Sequence, residues 1–446
     1  MSNKIYPIGI QNFEKIRNDG YFYIDKTALM YQMVKTGSYY FLSRPRRFGK
    51  SLLISTLEAY FQGKKELFEG LAVEKLEKDW IKHPILHLDL NIEKYDTLES
   101  LDKILNDNLE YWESQYGTRP SETSFSLRFA GIIQRACEKT GQRVVILVDE
   151  YDKPMLQAIG NEELQKQFRN TLKPFYGALK TKDGYIKFAL LTGVTKFGKV
   201  SVFSDLNNLD DISMWNEYVE ICGVSEREIH ENLEAELHEC AAARGITYDK
   251  LCEDLRECYD GYHFTHNSIG MYNPFSLLNA FKRKEFGSYW FETGTPTYLV
   301  KLLKKHHYDL ERMAHEETDV QVLNSIDSES TNPIPVIYQS GYLTIKGYDE
   351  EFGMYRLGFP NREVEEGFIR FLLPFYANVN KVESPFEIQK FVREVRSGDY
   401  NSFFHRLQSF FADTTYEVIR DQELHYENVL FIVFKLLGFY TKVEYH

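Results

Sequence analysis

Short apolar runs alternate with longer stretches of helical spacing in the first half of the chain. Four of the runs have strand length: Tyr39–Leu42, Ile85–Leu90, Val144–Val148 and Phe188–Thr192. The run Val144–Val148 is continuously aliphatic, as is typical of a strand that is buried on both faces. Helical spacing is found between the runs, over Ser51–Phe61, Leu98–Tyr111 and Ser126–Thr140. Strands that alternate with helices predict an α/β fold with a parallel sheet and helices on both faces.

The pattern changes after about Asp211, where helical spacing dominates. Over residues 290–370 we expect helices and then a β-hairpin, because Tyr342–Lys346 alternates apolar and polar residues, a polar turn follows and Met354–Phe359 returns. Helices followed by a hairpin are compatible with a winged-helix module, or with a small α+β connector that has no role in nucleic-acid binding. From Glu363 onward the pattern is mostly helical.

Length and composition define the class of protein. A chain of 446 residues suggests about three domains, and 43% hydrophobic with 27% charged residues excludes wholesale disorder. The five cysteines form no CxxC pair, which argues against a disulfide framework and against a zinc site. No apolar run approaches the ~18 residues of a membrane span, and the N-terminus lacks the layout of a signal peptide. We therefore expect a cytoplasmic protein without membrane contact.

Charge is distributed unevenly along the chain. The formal net charge is −13, so any nucleic-acid contact requires a local basic patch. Residues 217–260 contain 13 acidic and 4 basic residues, whereas residues 1–60 contain nine basic and four acidic residues. The positive excess therefore coincides with the segment where an anion would bind.

That segment contains a candidate phosphate-binding loop. A strand ends near Leu42, a short loop follows, and Gly49, Lys50 and Ser51 open a helix, which is the context that a P-loop requires. Amides of the loop and of the first helical turn would bind phosphate, and the glycine lets the backbone approach the anion. The lysine would reach the β- and γ-phosphates, and the serine hydroxyl would ligate Mg²⁺. The candidate nucleotide-binding residues are Arg46, Arg47, Phe48, Gly49, Lys50, Ser51 and Leu52.

The loop departs from the usual motif. Arg44 occupies the position of the first glycine and Pro45 follows it, so the loop must turn differently. Arg46 and Arg47 would add positive charge toward the phosphates. The alternative is an ordinary basic helix start, since a bare GKS tripeptide is weak evidence.

Acidic residues at the end of a buried strand support the nucleotide site. Asp149 and Glu150 follow the run Val144–Val148 directly, as in a Walker B motif. Asp149 would hold Mg²⁺ and Glu150 would polarise the attacking water. Thr192, at the tip of the next strand, would sense the γ-phosphate by hydrogen bonding. The alternative for Asp149 and Glu150 is that they begin a surface turn before Pro154. The alternative for Thr192 is an ordinary Thr-Gly turn.

The chain resembles the prokaryotic AAA-ATPase-like family, whose members often carry a C-terminal PD-(D/E)XK-type nuclease module. The resemblance rests on stretches that span essentially the whole chain: Pro7–Arg17, Tyr23–Thr27, Ser43–Ser51, Leu147–Pro154, Leu191–Leu209, Tyr259–Phe264, Tyr272–Leu278, Tyr289–Leu299 and Gly358–Val364. It implies a P-loop NTPase domain over residues 1–215, an acidic helical lid over 216–290 and a helical-plus-hairpin connector over 291–370. Residues 371–446 would be helical and begin a nuclease-like module.

The resemblance also implies roles for three further elements. Residues 21–26 would lie near the nucleotide base, and Tyr259–Phe264 would pack against the core. Glu427, in the helix-like stretch Glu423–Leu437, would be the first element of the nuclease module. The Asp and Glu-x-Lys strands that such a module needs are absent, so we expect a truncated module without nuclease activity. His263 and His266 have no third ligand nearby, which favours ordinary packing over metal binding.

The sequence therefore predicts a protein that binds ATP and Mg²⁺ and acts as an ATPase, coupled to a DNA or protein partner. Two alternatives remain open: a nucleotide-gated switch with negligible hydrolysis, and a DNA-binding effector that is controlled by ATP. Assembly into an oligomer is compatible with the sequence, which does not determine it.

Overall fold

The computed structural model describes residues 4–196, 202–203, 206–291, 297–324, 332–377, 384–412 and 422–438. Its first part is built on a five-stranded sheet of parallel strands in the order β2-β3-β4-β1-β5. The strands are β1 (Tyr39–Ser43), β2 (Ile85–Asp89), β3 (Val144–Asp149), β4 (Ile186–Gly193) and β5 (Asp210–Asp211). The predicted parallel sheet is confirmed, and its first four strands begin at, or within two residues of, the predicted runs.

Strand register brings the predicted motifs to one edge of the sheet. Asp149 at the end of β3 lies beside Asp89 at the end of β2, and Ser43 at the end of β1 lies beside Gly193 on β4. Since parallel strands all end at the same edge, the loop after β1 and the acidic end of β3 meet there, separated by the tip of β4.

Helices cover both faces of this sheet, and every residue of β3 is accordingly buried. Helix α3 packs on β3 and β4, and α6 packs on β3. The helices of this region are α1 (Phe13–Asn18), α2 (Thr27–Thr36), α3 (Lys50–Phe61), α4 (Ala72–Leu76), α5 (Leu98–Tyr116), α6 (Phe125–Thr140), α7 (Lys153–Gln157) and α8 (Glu162–Thr181).

The acidic region forms a small helical unit with its own apolar core. It contains α9 (Glu226–Arg244), α10 (Tyr248–Tyr259) and α11 (Pro274–Arg283), with a short antiparallel pair of β6 (Val224–Ser225) and β7 (Met271–Tyr272). Two of its carboxylates pair with the basic N-terminal segment: Glu236 with Lys4 at 2.8 Å, and Glu228 with Lys26. These ion pairs, together with Tyr6, Phe22 and Ile24 that pack on its apolar core, connect the acidic unit to the N-terminal segment.

The C-terminal part is mostly helical with a three-stranded antiparallel sheet, in the order β8-β10-β9. Its elements are α12 (Thr297–Lys305), β8 (Glu317–Asp319), α13 (Val320–Asn324), α14 (Ile334–Gln339), β9 (Thr344–Asp349), β10 (Met354–Gly358), α15 (Arg362–Tyr376), α16 (Ser384–Ser397), α17 (Tyr400–Ala412) and α18 (Gln422–Gly438). The predicted hairpin is confirmed as β9 and β10, and with the parallel sheet this confirms the predicted fold class.

Two predictions for this part, the helix around Glu427 and the winged-helix or connector module, can be compared with the structure. Glu427 is exposed on α18, where the helix was expected, and residues 439–446 lie outside the described residues. Helix α14, which precedes the hairpin, is buried at all but one of its six positions.

None of the described helices is both long and apolar enough to span a membrane. The predicted domain boundaries stay predictions.

Candidate active site

The candidate phosphate-binding loop leads into α3 through a left-handed glycine. Gly49 has a φ of 100° and is the residue before the first helical position, Lys50. A side chain would be strained at this φ, so the residue type allows the turn. The first amides of α3 have no partner within the helix, and they therefore give this end the polarity that binds anions.

A cavity of about 480 Å³ opens over this helix start. A volume of several hundred Å³ is typical of pockets that bind small molecules. The predicted site residues on its wall are Arg46, Arg47, Gly49, Lys50, Ser51, Leu52 and Glu150. The wall also includes the N-terminal residues Pro7–Gln11, residues near the ends of β2, β3 and β4, and parts of α7 and α11. The loop and the acidic strand end thus share one cavity.

Lys50 connects the loop to the acidic strand end. Its side chain is buried, and its Nζ donates to the backbone oxygens of Arg44 at 3.0 Å and of Pro45 at 3.4 Å. The same Nζ lies 3.6 Å from a carboxylate oxygen of Glu150. An ammonium that is held between loop carbonyls and a carboxylate lies where an incoming phosphate can replace these partners.

The acidic end of β3 holds two carboxylates in different environments. The Thr192 hydroxyl donates to Oδ1 of Asp149 at 2.6 Å, which fixes that side chain. Glu150 has a φ of 55°, an uncommon backbone conformation for this residue type that is often found at active sites. Burial raises the pKa of Glu150 to about 7, with further upward contributions from Asp152 and Asp149, although Lys50 opposes the shift. A carboxyl with such a pKa has the property that a general base needs near neutral pH.

The oxygen atoms of Ser51 and Asp149 are compatible with magnesium ligands. Ser51 lines the cavity, whereas Asp149 is buried and is not among the lining residues. Neither the Ser51 hydroxyl nor the second carboxylate oxygen of Asp149 has a hydrogen bond within the described part of the chain. Mg²⁺ prefers oxygen ligands and usually takes one or two from the protein, with phosphates and water completing its shell. Among the described residues, no cluster of three or more His, Cys, Asp or Glu side chains is suited to a metal.

Thr192 and Thr195 at the tip of β4 contact the acidic residues, whereas Val194 lies on the cavity wall. Thr192 is fully buried behind Asp149 and is not among the residues that line the cavity. Thr195 donates from its amide at 2.6 Å and from its hydroxyl at 2.7 Å to Asp152. The hydrogen bonds seen at Thr192 therefore position Asp149, and the predicted phosphate-sensing role stays a prediction.

The arginine half of the loop packs against distant helical segments. Arg44 is buried, donates to the backbone oxygens of Ser213 at 2.7 Å and Tyr218 at 3.2 Å, and stacks on Phe264. Its place at the missing glycine position is thus explained, since its guanidinium ties the loop to the segment after β5. The pKa of Arg44 is lowered by burial to about 10, so it remains a cation at neutral pH.

The next residues of the loop make similar contacts. The Arg46 guanidinium lies over the ring of Trp290 at 4.6 Å, and the indole N–H donates to the Arg46 backbone oxygen at 3.0 Å. The Arg47 guanidinium lies 5.0 Å from the Phe275 ring centre. Phe48 is buried and its ring faces those of Tyr262 and Phe264, which confirms that the Tyr259–Phe264 motif packs on the core. Phe48 can therefore contribute only its backbone to a phosphate site.

Sequence reasoning missed several residues of the cavity. Asn91 and Lys153 lie on its wall beside Glu150, as does Phe275. Lys153 belongs to the stretch Leu147–Pro154, and Phe275 to another stretch of the resemblance, which is the signal that could have identified them. Asn91 follows the end of β2, the edge where ligands bind in open α/β sheets, but only the sheet order reveals that β2 lies next to β3.

Comparisons with known proteins agree with this geometry. A family model described as "Predicted AAA-ATPase" matches residues 7–203, which include the loop, the acidic strand end and the tip of β4. An uncharacterized protein encoded in the vnfD 5′ region of Azotobacter chroococcum mcd 1 is 35% identical over 458 aligned positions, which cover all of this chain and 85% of that protein. The chain belongs to the predicted AAA-ATPase family.

Proposed function

We propose that this protein binds ATP with Mg²⁺ and hydrolyses it. The observation that carries the proposal is the placement of Lys50 and Glu150, whose charged atoms lie 3.6 Å apart on the wall of a cavity at the N-terminus of α3. Phosphate groups at this helix start would accept hydrogen bonds from the loop amides and replace the loop carbonyls as partners of Lys50.

The residues of the cavity have distinct tasks in this proposal. Glu150 accepts a proton from the attacking water, and Lys50 neutralises charge on the β- and γ-phosphates. Ser51 and Asp149 would hold Mg²⁺, which as a Lewis acid offsets the negative charge of the phosphate oxygens. Thr192 keeps the carboxylate of Asp149 oriented through its hydrogen bond.

A second, smaller cavity beside the loop is suited to the nucleotide base. It has a volume of about 110 Å³, adjoins Gly49 and Leu52, and is lined mainly by apolar groups of Phe22, Tyr23 and Ile24 and of residues 221–224. A planar base binds favourably in such an apolar slot. This supports the proposal that residues 21–26 lie near the base, as the family resemblance implies.

A nucleotide-gated switch is the second candidate, and the contacts of Arg46 favour it. Arg46 lines the nucleotide cavity and also contacts Trp290, and one of its terminal nitrogens donates to the Tyr342 hydroxyl at 3.3 Å. A phosphate that attracts the guanidinium would weaken these contacts with the C-terminal part. Nucleotide binding would then be communicated to that part whether or not hydrolysis is fast.

The DNA-binding alternative receives less support from the hairpin. Its turn carries Asp349, Glu350 and Glu351, which would repel a phosphate backbone, and the preceding helix α14 is buried against the rest of the molecule. A protein partner is therefore the better proposal for this surface.

Steady-state ATP hydrolysis tests the leading proposal. Wild type is compared with Lys50→Ala, each with Mg²⁺ and with excess chelator, and with and without duplex DNA. We expect hydrolysis that requires both Mg²⁺ and Lys50. Equal rates for the two proteins would refute the site, whereas tight ATP binding with no turnover would favour the switch.

A further inference from the structure

Lys153 is the third residue after Glu150 and lies on the wall of the same cavity. Its amide donates to the Glu150 backbone oxygen at 3.0 Å, which closes the turn that holds Glu150 at a positive φ. It is also the first residue of α7, a helix of only five residues. So short a helix has no N-terminal anion-binding site, and Lys153 can therefore bind an anion only through its side chain.

The ammonium of Lys153 is held by neutral oxygens. Its Nζ donates to the side-chain oxygen of Asn91 at 2.9 Å and to the backbone oxygen of the same residue. The backbone of Asn91 is itself fixed, because its backbone N–H donates to Oδ1 of Asp89 at 2.8 Å. An ammonium has three donors, so one remains for a ligand. Within the described part of the chain, no carboxylate forms an ion pair with Lys153.

The other cations on this wall lie against a carboxylate or an aromatic ring. Lys50 lies beside the Glu150 carboxylate, whereas Arg46 and Arg47 stack on aromatic rings. Burial lowers the pKa of Lys153, whereas Glu150, Asp89 and Glu93 oppose this shift. Lys153 thus combines a charge that forms no direct ion pair among the described residues, a fixed position and a place on the cavity wall. Transfer of a phosphoryl group spreads negative charge over its oxygens, and a fixed cation there stabilises the transition state.

We propose that Lys153, positioned by Asn91, is a catalytic residue that contacts the terminal phosphate of ATP during hydrolysis. This inference rests on the proposed function and adds a cation from the same chain, where many ATPases use an arginine from a partner. Oxygen of the attacking water bonds to the γ-phosphorus, and the bond to the bridging oxygen breaks with its electron pair leaving on ADP. The proton of the water passes to Glu150, and Lys153 transfers none.

Hydrolysis and nucleotide affinity are measured for Lys153→Met, Lys153→Arg and Asn91→Ala in the full chain. Lys94→Met is the matched control, because Lys94 lies in the same loop as Asn91, is 78% exposed and pairs with Asp96. We expect Lys153→Met to lower kcat about 100-fold, with the Kd for ATP changed less than about threefold. Arginine should restore part of the rate. Asn91→Ala should lower kcat about tenfold, because the ammonium loses its fixed position.

Binding of ADP with aluminium fluoride, a mimic of the transferring phosphoryl group, separates catalysis from folding. Lys153→Met should weaken binding of this complex about as much as it lowers kcat, while the affinity for ADP alone stays unchanged. A kcat within threefold of wild type for Lys153→Met, or an equal loss in Lys94→Met, would overturn the inference. Turnover that requires Lys50 but not Lys153 would overturn this inference and leave the proposed function standing. Absence of any turnover that depends on Lys50 would overturn both the inference and the proposed function.

Discussion

The segment Arg44–Leu52, which comprises the loop after β1 and the first residues of α3, has two halves that make different contacts, although both carry positive charge. The first half, Arg44–Phe48, directs its side chains to aromatic rings and backbone oxygens of distant segments. The second half, Gly49–Leu52, lines the cavity beside Glu150; Arg46 and Arg47 also reach the cavity wall, but their guanidinium groups lie against aromatic rings. The comparison teaches that positive charge in a phosphate-binding loop does not by itself identify phosphate ligands. What distinguishes the second half is its place at a helix start, next to the acidic strand end.

The largest effect is expected from Glu150→Gln. The amide cannot accept a proton from water, so hydrolysis should fall about 1,000-fold, while removal of the negative charge leaves ATP binding intact or tighter. Single-turnover hydrolysis and nucleotide titration measure the two quantities. A variant that retains more than a tenth of the wild-type rate would show that Glu150 is not the base.

Arg44→Met should mainly lower stability, in contrast to changes in the second half of the loop. It leaves the backbone oxygens of Ser213 and Tyr218 without their donor, and loss of a buried charged partner costs about 3 kcal/mol of unfolding free energy. Arg47→Met is the matched control, because Arg47 is exposed and, among the described residues, its guanidinium contacts only the Phe275 ring, so the change should cost less than about 1 kcal/mol. Urea unfolding measures both. Equal losses would contradict the different roles of these arginines.

The pH dependence of hydrolysis reports on the second half of the loop. The pKa of Glu150 in the free protein is raised to about 7, and the base must be deprotonated to act. We therefore expect kcat/KM to rise about tenfold per pH unit below this value and to level off above it. The residual rate of Glu150→Gln should lack this rise. A wild-type profile that is flat between pH 5.5 and 7.5, a range of about two units around that pKa, would argue against the assignment.

A smaller effect is expected where the first half meets the C-terminal part. Trp290→Phe keeps an aromatic ring for Arg46 but removes the N–H that donates to the Arg46 backbone oxygen. Loss of one such bond costs about 1 kcal/mol, so ATP affinity should fall about threefold to fivefold as the loop loosens. Calorimetric titration with ATP measures this change. No change in affinity would mean that the bond does not support the loop.

Sequence reasoning found the strands because their chemistry is local. Val144–Val148 is apolar on both faces, and the structure extends it by one residue to Asp149. The two-residue strand β5 was missed, since Asp210–Asp211 is polar and is a strand only because it pairs with β1. The fold class was predictable because strands and helices alternate along the first half of the chain.

The candidate site was predicted only where its residues follow a recognisable local pattern. Lys50, Ser51 and Glu150 stand next to recognisable elements, whereas the partners of Arg44 lie about 170 residues further along the chain and have no local signature. Asn91 and Lys153 could be connected only once the sheet order placed β2 beside β3. Contacts that depend on how distant segments pack cannot be deduced from spacing along one sequence.

Binding of ATP with Mg²⁺ to Glu150→Gln, with and without the additional change Lys50→Ala, tests the central claim most directly. The single variant removes turnover, so the titration measures binding alone. We expect saturable binding to Glu150→Gln and a loss of at least about 100-fold in affinity when Lys50 is also changed. Equal affinity of the two variants, with both folded, would contradict the assignment of this loop as the phosphate-binding site.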